Sequence, residues 1–518
     1  MSPRKQPQYT RNLPFLMALP VVSGIFQAAS FPKVNQGYLA WIAMIPLIAY
    51  LIATRKAGQA FFGGWICGVV QFAALLYWIP RVLIHYGGVQ AAAAWGLFSL
   101  MIGILACYGS VACAVTRWCM NRGGPAWLLL FAPAWVALEN VRGHFPFGGF
   151  PWLLTGYSQG ESPRLLQAAD IAGVYGVSFL VVWVNSAVVW RWLYRRRPFF
   201  GLFPAAIAAM LLILCIAYGS ASIRRWDRNL PEYRAALLQG NLGVDETSAA
   251  LQRKLQDGYT EMVDKLGITE IDLLILPESP SPLLFQVDPA YRESMRGLAH
   301  RATFGVVFNN IHFSQVEGDT RYYNSAYFLN RQGIEIGRYD KIHLVPFGEY
   351  IPMKWLFFFS ETVSKDVGGF SAGDRYETVR FGGHSTNAII CFEAVFPEIS
   401  REFSDRGSEL LINLTNDGWY GDTPAPFQHF AMTRWRAVEN RKYLLRAANS
   451  GISAVIAPSG SVQQQTALFQ KVADVGMFSF LTGKTFYVRY GRGFPLLCAI
   501  ITIVALIRCS AKRGRFAA

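Results

Sequence analysis

Three short stretches of this 518-residue chain carry residue types suited to acid–base or nucleophilic chemistry. Leu276-Pro277-Glu278 ends an apolar run on a carboxylate, and Ile389-Ile390-Cys391 ends another on a thiol. Tyr339-Asp340-Lys341 opens a loop that also carries His343 and Glu349. The thiolate is the reactive form of cysteine, and a neighbouring ammonium lowers the thiol pKa. A carboxylate in reach accepts the thiol proton and later returns it to a leaving group. The ammonium stabilises an oxyanion, helped by a backbone N–H. Glu278, Lys341 and Cys391 together thus cover base, electrophilic support and nucleophile for acyl transfer without a histidine. Each also has a bland use: a free cysteine is often a small core residue, and a lone lysine or glutamate is often solvated surface. His343 reads as a structural histidine with satisfied hydrogen bonds rather than a ligand.

Cysteine placement favours the chemical reading. Cys67, Cys107, Cys113, Cys119, Cys215, Cys498 and Cys509 lie in or beside long apolar segments, whereas Cys391 stands alone in the block 223–490. It has no disulfide partner there, and no CxxC or His-rich spacing points to a metal. The chemistry requires no cofactor.

These residues need a scaffold. Between 223 and 490 the apolar runs are of strand length, at 272–277, 304–311, 385–393 and 409–416. They alternate with helical patterns, the clearest being Leu251, Leu255, Tyr259, Met262 and Leu266 behind an N-cap at Thr247 or Ser248. Asn330-Arg331-Gln332-Gly333 reads as a hairpin turn. The pattern predicts one α/β domain, with the carboxylate and the thiol at strand C-termini, where sites gather in open α/β sheets.

The rest of the chain has a different texture. It is 53% hydrophobic and 16% charged overall, yet carries a formal net charge of +15. That combination fits long apolar segments with basic ends better than a nucleic-acid-binding face, since the densest cluster, Arg191 with Arg195, Arg196 and Arg197, abuts an apolar run. Segments long enough to span a bilayer fit at 13–30, 38–54, 60–82, 91–116, 125–141, 166–190, 199–222 and 494–508, with Pro133 and Glu139 interrupting the fifth. The basic start, Met1 to Asn12, precedes an apolar run that reads as a retained anchor, not a cleaved leader. With the N-terminus in the cytoplasm, fifteen basic residues flank the inside ends and only Lys33, Arg81, Arg142 and Arg164 the short outside loops. The positive-inside rule then puts both termini in the cytoplasm and block 223–490 outside it. The expected organisation is a seven-span membrane domain at 1–222, an external α/β domain at 223–490, and a last span with a basic tail at 491–518.

The order Glu278, Lys341, Cys391 resembles the triad of the nitrilase (carbon–nitrogen hydrolase) superfamily. Asn413-Leu414-Thr415-Asn416-Asp417-Gly418-Trp419 and the RWRAVENR run from Arg434 to Arg441 are similar to that superfamily as well. With spans on both sides, and Phe150-Pro151-Trp152-Leu153 after Arg142, essentially the full chain resembles the apolipoprotein N-acyltransferase family. The resemblance implies an α-β-β-α sandwich on an eight-helix membrane bundle. It implies transfer of a fatty acyl chain from a phospholipid donor to the N-terminal amine of a diacylglyceryl-modified apolipoprotein, through a thioester on Cys391. Glu278 would be the base and Lys341 the oxyanion support, Glu349 would position Lys341 or the incoming amine, and Glu393 would shape the pocket beside the thiol. For both glutamates a structural ion pair is the alternative. Phe392 departs from the tyrosine that some members carry, so no hydroxyl is available there.

Arg142 reads either as a phosphate contact or as a topology marker. The apolar stretch 351–359, with Trp355 and Phe358, reads either as a lid dipping toward the bilayer or as a plain core segment. Implied partners are phospholipid, apolipoprotein and membrane, with no nucleic acid. The implied location is the bacterial inner membrane, with the catalytic domain in the periplasm. Two other functions compete. A membrane-tethered amidase acting on a small external substrate would not need eight spans. A transporter would place more ionisable residues in its spans than Glu139 and Asp170.

Overall fold

The computed structural model describes residues 13–228, 230–243, 258–267, 270–278, 283–350 and 369–511. Trp355, Phe358, the Thr247/Ser248 N-cap and the first part of the expected 251–266 helix lie outside these residues; the described remainder of that helix, from Gly258, is helical as expected.

The described residues up to Trp226 are mostly helical. Among the described residues five helices are long and apolar enough to cross a membrane: α1 (Ala57–Leu76), α2 (Ala91–Gly123), α3 (Ala169–Leu193), α4 (Pro198–Trp226) and, after the sheets, a last one at Gly493–Ala511. Of the eight expected spans, five meet this measure among the described residues. The apolar helix at Leu13–Ala29 has 17 residues. The stretch 37–53 is cut at Met44, ahead of Pro46, into short pieces. The segment at 125–141 divides into a 3-10 turn, Pro125–Leu130, and a 12-residue helix, Phe131–Arg142. Twelve residues rise only about 18 Å, short of a roughly 30 Å hydrocarbon core.

Close packing of α1 on α2 follows from small residues. A Cβ at Gly64 would lie 2.8 Å from the Ser110 Cα, and one at Gly68 2.8 Å from the Ala106 Cα. With no hydrophobic drive between helices in lipid, such Gly-x-x-x-Gly faces supply the contact.

From Tyr233 the chain builds two six-stranded sheets. The first has the order β12-β1-β2-β3-β4-β5, with β1 Tyr233–Gln239, β2 Leu273–Ile275, β3 Gly305–Val316, β4 Asp319–Asn330, β5 Glu335–Asp340 and β12 Val472–Phe478. The second has the order β11-β10-β9-β8-β7-β6, with β6 Val379–Phe381, β7 His384–Ile390, β8 Leu410–Thr415, β9 Leu444–Ala448, β10 Ala454–Ile456 and β11 Val462–Gln465. Strands β1, β2 and β3 run parallel, as do β7, β8 and β9. Parallel strands covered on both faces need largely apolar stretches, which Ala235–Leu238, Leu273–Ile275 and Leu410–Ile412 supply.

Alternation divides those runs between two cores. Leu237, Leu273, Ile275 and Val307 join Ala388, Ile390 and Leu411 between the sheets. Leu238, Leu274, Val306 and Phe308 face outward onto Tyr259, Met262 and the Pro289–Ala299 helix. Each fully buried Leu or Ile contributes about 1.5–3 kcal/mol. The helices α5 (Pro397–Asp405) and α6 (Ala425–Asn440) follow β7 and β8 and pack on the second sheet's core through Ile399, Phe403, Met432 and Trp435. The result is the α-β-β-α arrangement expected. The Asn330–Gly333 turn closes the β4–β5 hairpin, with the Gly333 N–H donating to Asn330 O at 2.8 Å.

Candidate active site

Lys341 and Cys391 follow directly on strand ends and Glu278 lies just beyond one, and the fold brings all three together. Glu278 comes three residues beyond the short β2, whose ladder stops before Pro277, a residue with no N–H to donate. Lys341 follows β5, its backbone N–H donating to Asn324 O at 2.9 Å. Cys391 follows β7 at φ +48, opening a 3-10 turn, Cys391–Val395. A non-glycine residue at positive φ is strained, and such strain is held only where surrounding contacts enforce it.

The Lys341 side chain is 1% exposed, so its ammonium must be neutralised in place. Its Nζ donates to Glu349 Oε1 at 2.8 Å and lies 4.0 Å from Glu278 Oε1. Asn324 Nδ2 bridges the two carboxylates, donating to Glu278 Oε1 and to Glu349 Oε1 at 2.9 Å each. The second oxygens are also held: Asn416 N–H donates to Glu278 Oε2 at 3.0 Å, and Val345 N–H to Glu349 Oε2 at 2.8 Å. Glu278 and the Cys391 side chain are near enough to influence each other's ionisation.

These contacts set the protonation states. Burial pushes Lys341 toward neutrality, but Glu349 and Glu278 overcome it and hold the ammonium above its usual range. Burial raises the Glu278 pKa, Glu349 adds to it, and Lys341 opposes it. The Cys391 thiol is raised well above its ordinary value by burial and by the Glu278 charge, which outweigh Lys341. The sequence expectation of an ammonium-lowered thiol is therefore corrected: the resting form is the neutral thiol. Glu278 is a carboxylate placed to take its proton.

Glu393 lies behind the site rather than in it. Its Oε1 accepts from Tyr339 Oη at 2.7 Å, Ile342 N at 2.9 Å and His343 N at 3.1 Å, and its Oε2 accepts from Ile390 N at 2.8 Å. Fully hydrogen-bonded and 0% exposed, it ties the lysine loop to the cysteine turn. His343 packs against Phe396 with ring centroids 3.8 Å apart, but its Nε2 is buried without a hydrogen bond, so it is structural without being satisfied. Burial holds this ring neutral down to about 4.

Arg142 is buried rather than interfacial. Its Nη1 donates to Trp152 O at 3.0 Å, and it shares a cleft between α1 and α2 with Glu139, Gln71 and Tyr108. The Trp152 ring stacks on Phe392, the neighbour of Cys391, 6.4 Å between centroids and 23° between planes.

Sequence reasoning missed Asn324, which no local pattern distinguishes. It also missed a fully buried group behind the thiol. Asp417 Oδ2 accepts from Arg446 Nη2 at 2.7 Å, His429 Nδ1 lies 2.9 Å from Asp417 Oδ1, and His429 Nε2 lies 3.1 Å from Cys391 O. Against its burial, Arg446 and His429 hold Asp417 down to about 2. Asp417 belongs to the NLTNDGW run, so half of this signal was visible.

Comparison with known proteins gives matches over both regions. The family described as "Apolipoprotein N-acyltransferase N-terminal domain" matches residues 23–187, and "Carbon-nitrogen hydrolase" matches 234–476. The chain is 37% identical to the apolipoprotein N-acyltransferase of Geobacter metallireducens, covering 96% of each chain. It is 30% identical to that of Methylococcus capsulatus, again over 96% of each. Among solved structures, the nitrilase-superfamily amidase of Nesterenkonia sp. AN1 aligns at 20% identity over 51% of this chain and 95% of its own, with a TM-score of 0.37. With several apolar helices beside these relatives, the chain is a membrane protein.

Proposed function

Because the chain belongs to the apolipoprotein N-acyltransferase family, we propose that it moves a fatty acyl chain from phospholipid to the N-terminal amine of diacylglyceryl-cysteine in apolipoproteins, through a Cys391 thioester. The observation that carries this reading is the buried Lys341 ammonium shared by Glu278 and Glu349 beside the Cys391 turn. In the first half-reaction Glu278 takes the thiol proton as sulfur attacks the phospholipid ester carbonyl. Lys341 stabilises the oxyanion, and collapse releases lysophospholipid, whose oxygen receives the proton from Glu278. In the second the acceptor amine attacks the thioester and Glu278 takes an amine proton. Amide forms, and the sulfur leaves and is reprotonated as thiol. Glu349 holds Lys341 in both steps. Supply of both substrates by the bilayer fits a division into a membrane domain at 1–222, a catalytic domain at 223–490 and a final span at 491–518. The basic-residue asymmetry supports an inner-membrane location with the catalytic domain in the periplasm.

The fate of a labelled acyl chain tests this against an amidase or lipase-like hydrolase. Phospholipid alone is expected to yield one equivalent of lysophospholipid and almost no free fatty acid. Adding a diacylglyceryl-cysteine peptide is expected to move the label into an amide, with ping-pong kinetics. Steady release of free acid, indifferent to peptide, would defeat the proposal.

A further inference from the structure

The cysteine turn is strained, and the site's acid–base residues do not themselves hold its backbone. Cys391 has φ +48, and its carbonyl oxygen faces His429 Nε2 at 3.1 Å. His429 is 0% exposed and comes from the first turns of α6. Its other nitrogen, Nδ1, has Asp417 Oδ1 at 2.9 Å and Arg446 Nη2 at 3.2 Å. Two forms of the ring present an N–H to the Cys391 carbonyl, and only the doubly protonated one also donates to Asp417, since the neutral ring with its proton on Nε2 turns the Nδ1 lone pair toward Asp417 Oδ1. That neutral ring accepts from Arg446 at Nδ1. In both, Nε2–H donates to the Cys391 carbonyl.

The ring is fixed from its other side by the helical region. Trp152 stacks on His429 at 5.9 Å and 25°. The Trp152 indole N–H donates to Gln428 Oε1 at 2.9 Å, while Gln428 Nε2 donates to Pro32 O at 3.2 Å and Leu75 O at 3.1 Å. Neighbouring residues of one helix therefore grip the apolar helices and the nucleophile's backbone.

We propose that His429 is a positioning residue for the nucleophile: its Nε2–H holds the Cys391 carbonyl, so that the strained turn keeps the thiol at Glu278. This rests on the reading of Cys391 as the acylated residue, and deepens it. The groups whose charge the thiol feels are Glu278, Lys341 and Asp417, and His429 adds the hydrogen bond to its backbone.

Two amide replacements separate positioning from mere packing. Gln at position 429 keeps an N–H near the Nε2 site, whereas Asn reaches only toward Asp417. In full-length enzyme in phospholipid nanodiscs, His429→Gln is expected to form the acyl-enzyme within about tenfold of the wild-type rate. His429→Asn is expected to lose about 10²-fold, as a misplacement of about 1 Å costs, with KM for phospholipid unchanged. His429→Phe, which keeps a ring against Trp152 but no donor, is expected to match Asn and serves in its place if Asn does not fold. Alkylation of Cys391 by iodoacetamide, followed by mass, needs no lipid. Its pH profile is expected to stay with wild type in Gln and to shift in Asn or Phe. Equal acylation rates and superimposable profiles across the variants would overturn the proposal, as would a folded Gln variant as slow as Asn or Phe. Wild-type enzyme that forms no thioester while these profiles still separate would count against the acyltransferase reading alone.

Discussion

Two carboxylates share a single ammonium in the site, Glu278 at 4.0 Å and Glu349 at 2.8 Å from Lys341, so an ionised thiol would add a second uncompensated negative charge in a buried place. That arithmetic gives Glu278→Gln an unusual signature. Acyl-enzyme formation is expected to fall by about 10²-fold or more, since proton transfer typically contributes that much. The thiol, relieved of the Glu278 charge, is expected to alkylate with iodoacetamide at lower pH than in wild type. Wild-type acylation in Glu278→Gln would show that Glu278 is not the base, and alkylation that needs a higher pH would show that its charge does not hold the thiol up. The sign for the pH–rate profile also follows. Glu278 works as the carboxylate, and burial raises its pKa, so acylation should rise with pH through a value above the ordinary carboxylate range. Lys341 opposes that rise, so Lys341→Met should move the acid limb to higher pH as well as lowering the plateau. A limb that stays put or moves down would remove Lys341 from contact with the base. The triad was legible because Glu278 and Cys391 end apolar runs and Lys341 opens a patterned loop between them. Asn324 was not, because a lone asparagine within a strand has no signature until β4 is laid beside the Glu278 loop.

Short elements carry the precision of this site, and they were the hardest to read. The expected strand 272–277 contracts to Leu273–Ile275 because Pro277 ends the ladder. The expected strand 385–393 stops at Ile390, because Cys391 turns to positive φ and Glu393 folds back to accept the Ile390 N–H. A run of apolar letters does not announce such a turn. Glu393 is accordingly expected to act through the turn's geometry. Glu393→Gln keeps the shape but cannot accept four donors as a carboxylate does, and Glu393→Ala leaves Tyr339 Oη and three backbone N–H groups facing a void. Each buried group left unpaired costs about 1–3 kcal/mol. Glu393→Ala should therefore lower the thermal midpoint of the purified protein more than Glu278→Ala does; the reverse order would deny it a bracing role. Among the helices, Gly64→Leu on α1 is expected to disrupt packing against α2, since even a Cβ meets the Ser110 backbone at 2.8 Å. Loss of folded protein in membranes is the measurement, and normal accumulation would contradict the close approach.

The molecule as a whole depends on a catalytic region locked to its helices at several points. Arg441 donates to Asp170 Oδ2 at 2.8 and 2.6 Å, and Glu439 Oε1 accepts the Val174 N–H at 3.1 Å just beyond the kink at Gly173. The RWRAVENR run was legible as a family motif, but its docking role was not, because its partners sit some 265 residues or more away in the chain. Removing one partner from a buried pair typically costs about 3–5 kcal/mol. Arg441→Ala should thus lower the thermal midpoint markedly, and an unchanged midpoint would dismiss the lock. The apolar segments were legible, but not their lengths as helices: 37–53 breaks at Met44 ahead of Pro46, and 125–141 opens on a 3-10 turn before its helix. Orientation rests on the charge asymmetry: a reporter fused after about residue 270 should be active only outside the cytoplasm, and one at the C-terminus only inside. All of this converges on one covalent intermediate. The most direct test is the intact mass of purified wild-type enzyme after incubation with phospholipid, beside Cys391→Ala. The expected result is a fatty-acyl increment on wild type that neutral hydroxylamine removes and a diacylglyceryl-cysteine peptide discharges, and no increment on Cys391→Ala. Normal lipoprotein acylation by Cys391→Ala, or turnover by wild type with no hydroxylamine-sensitive increment, would contradict it.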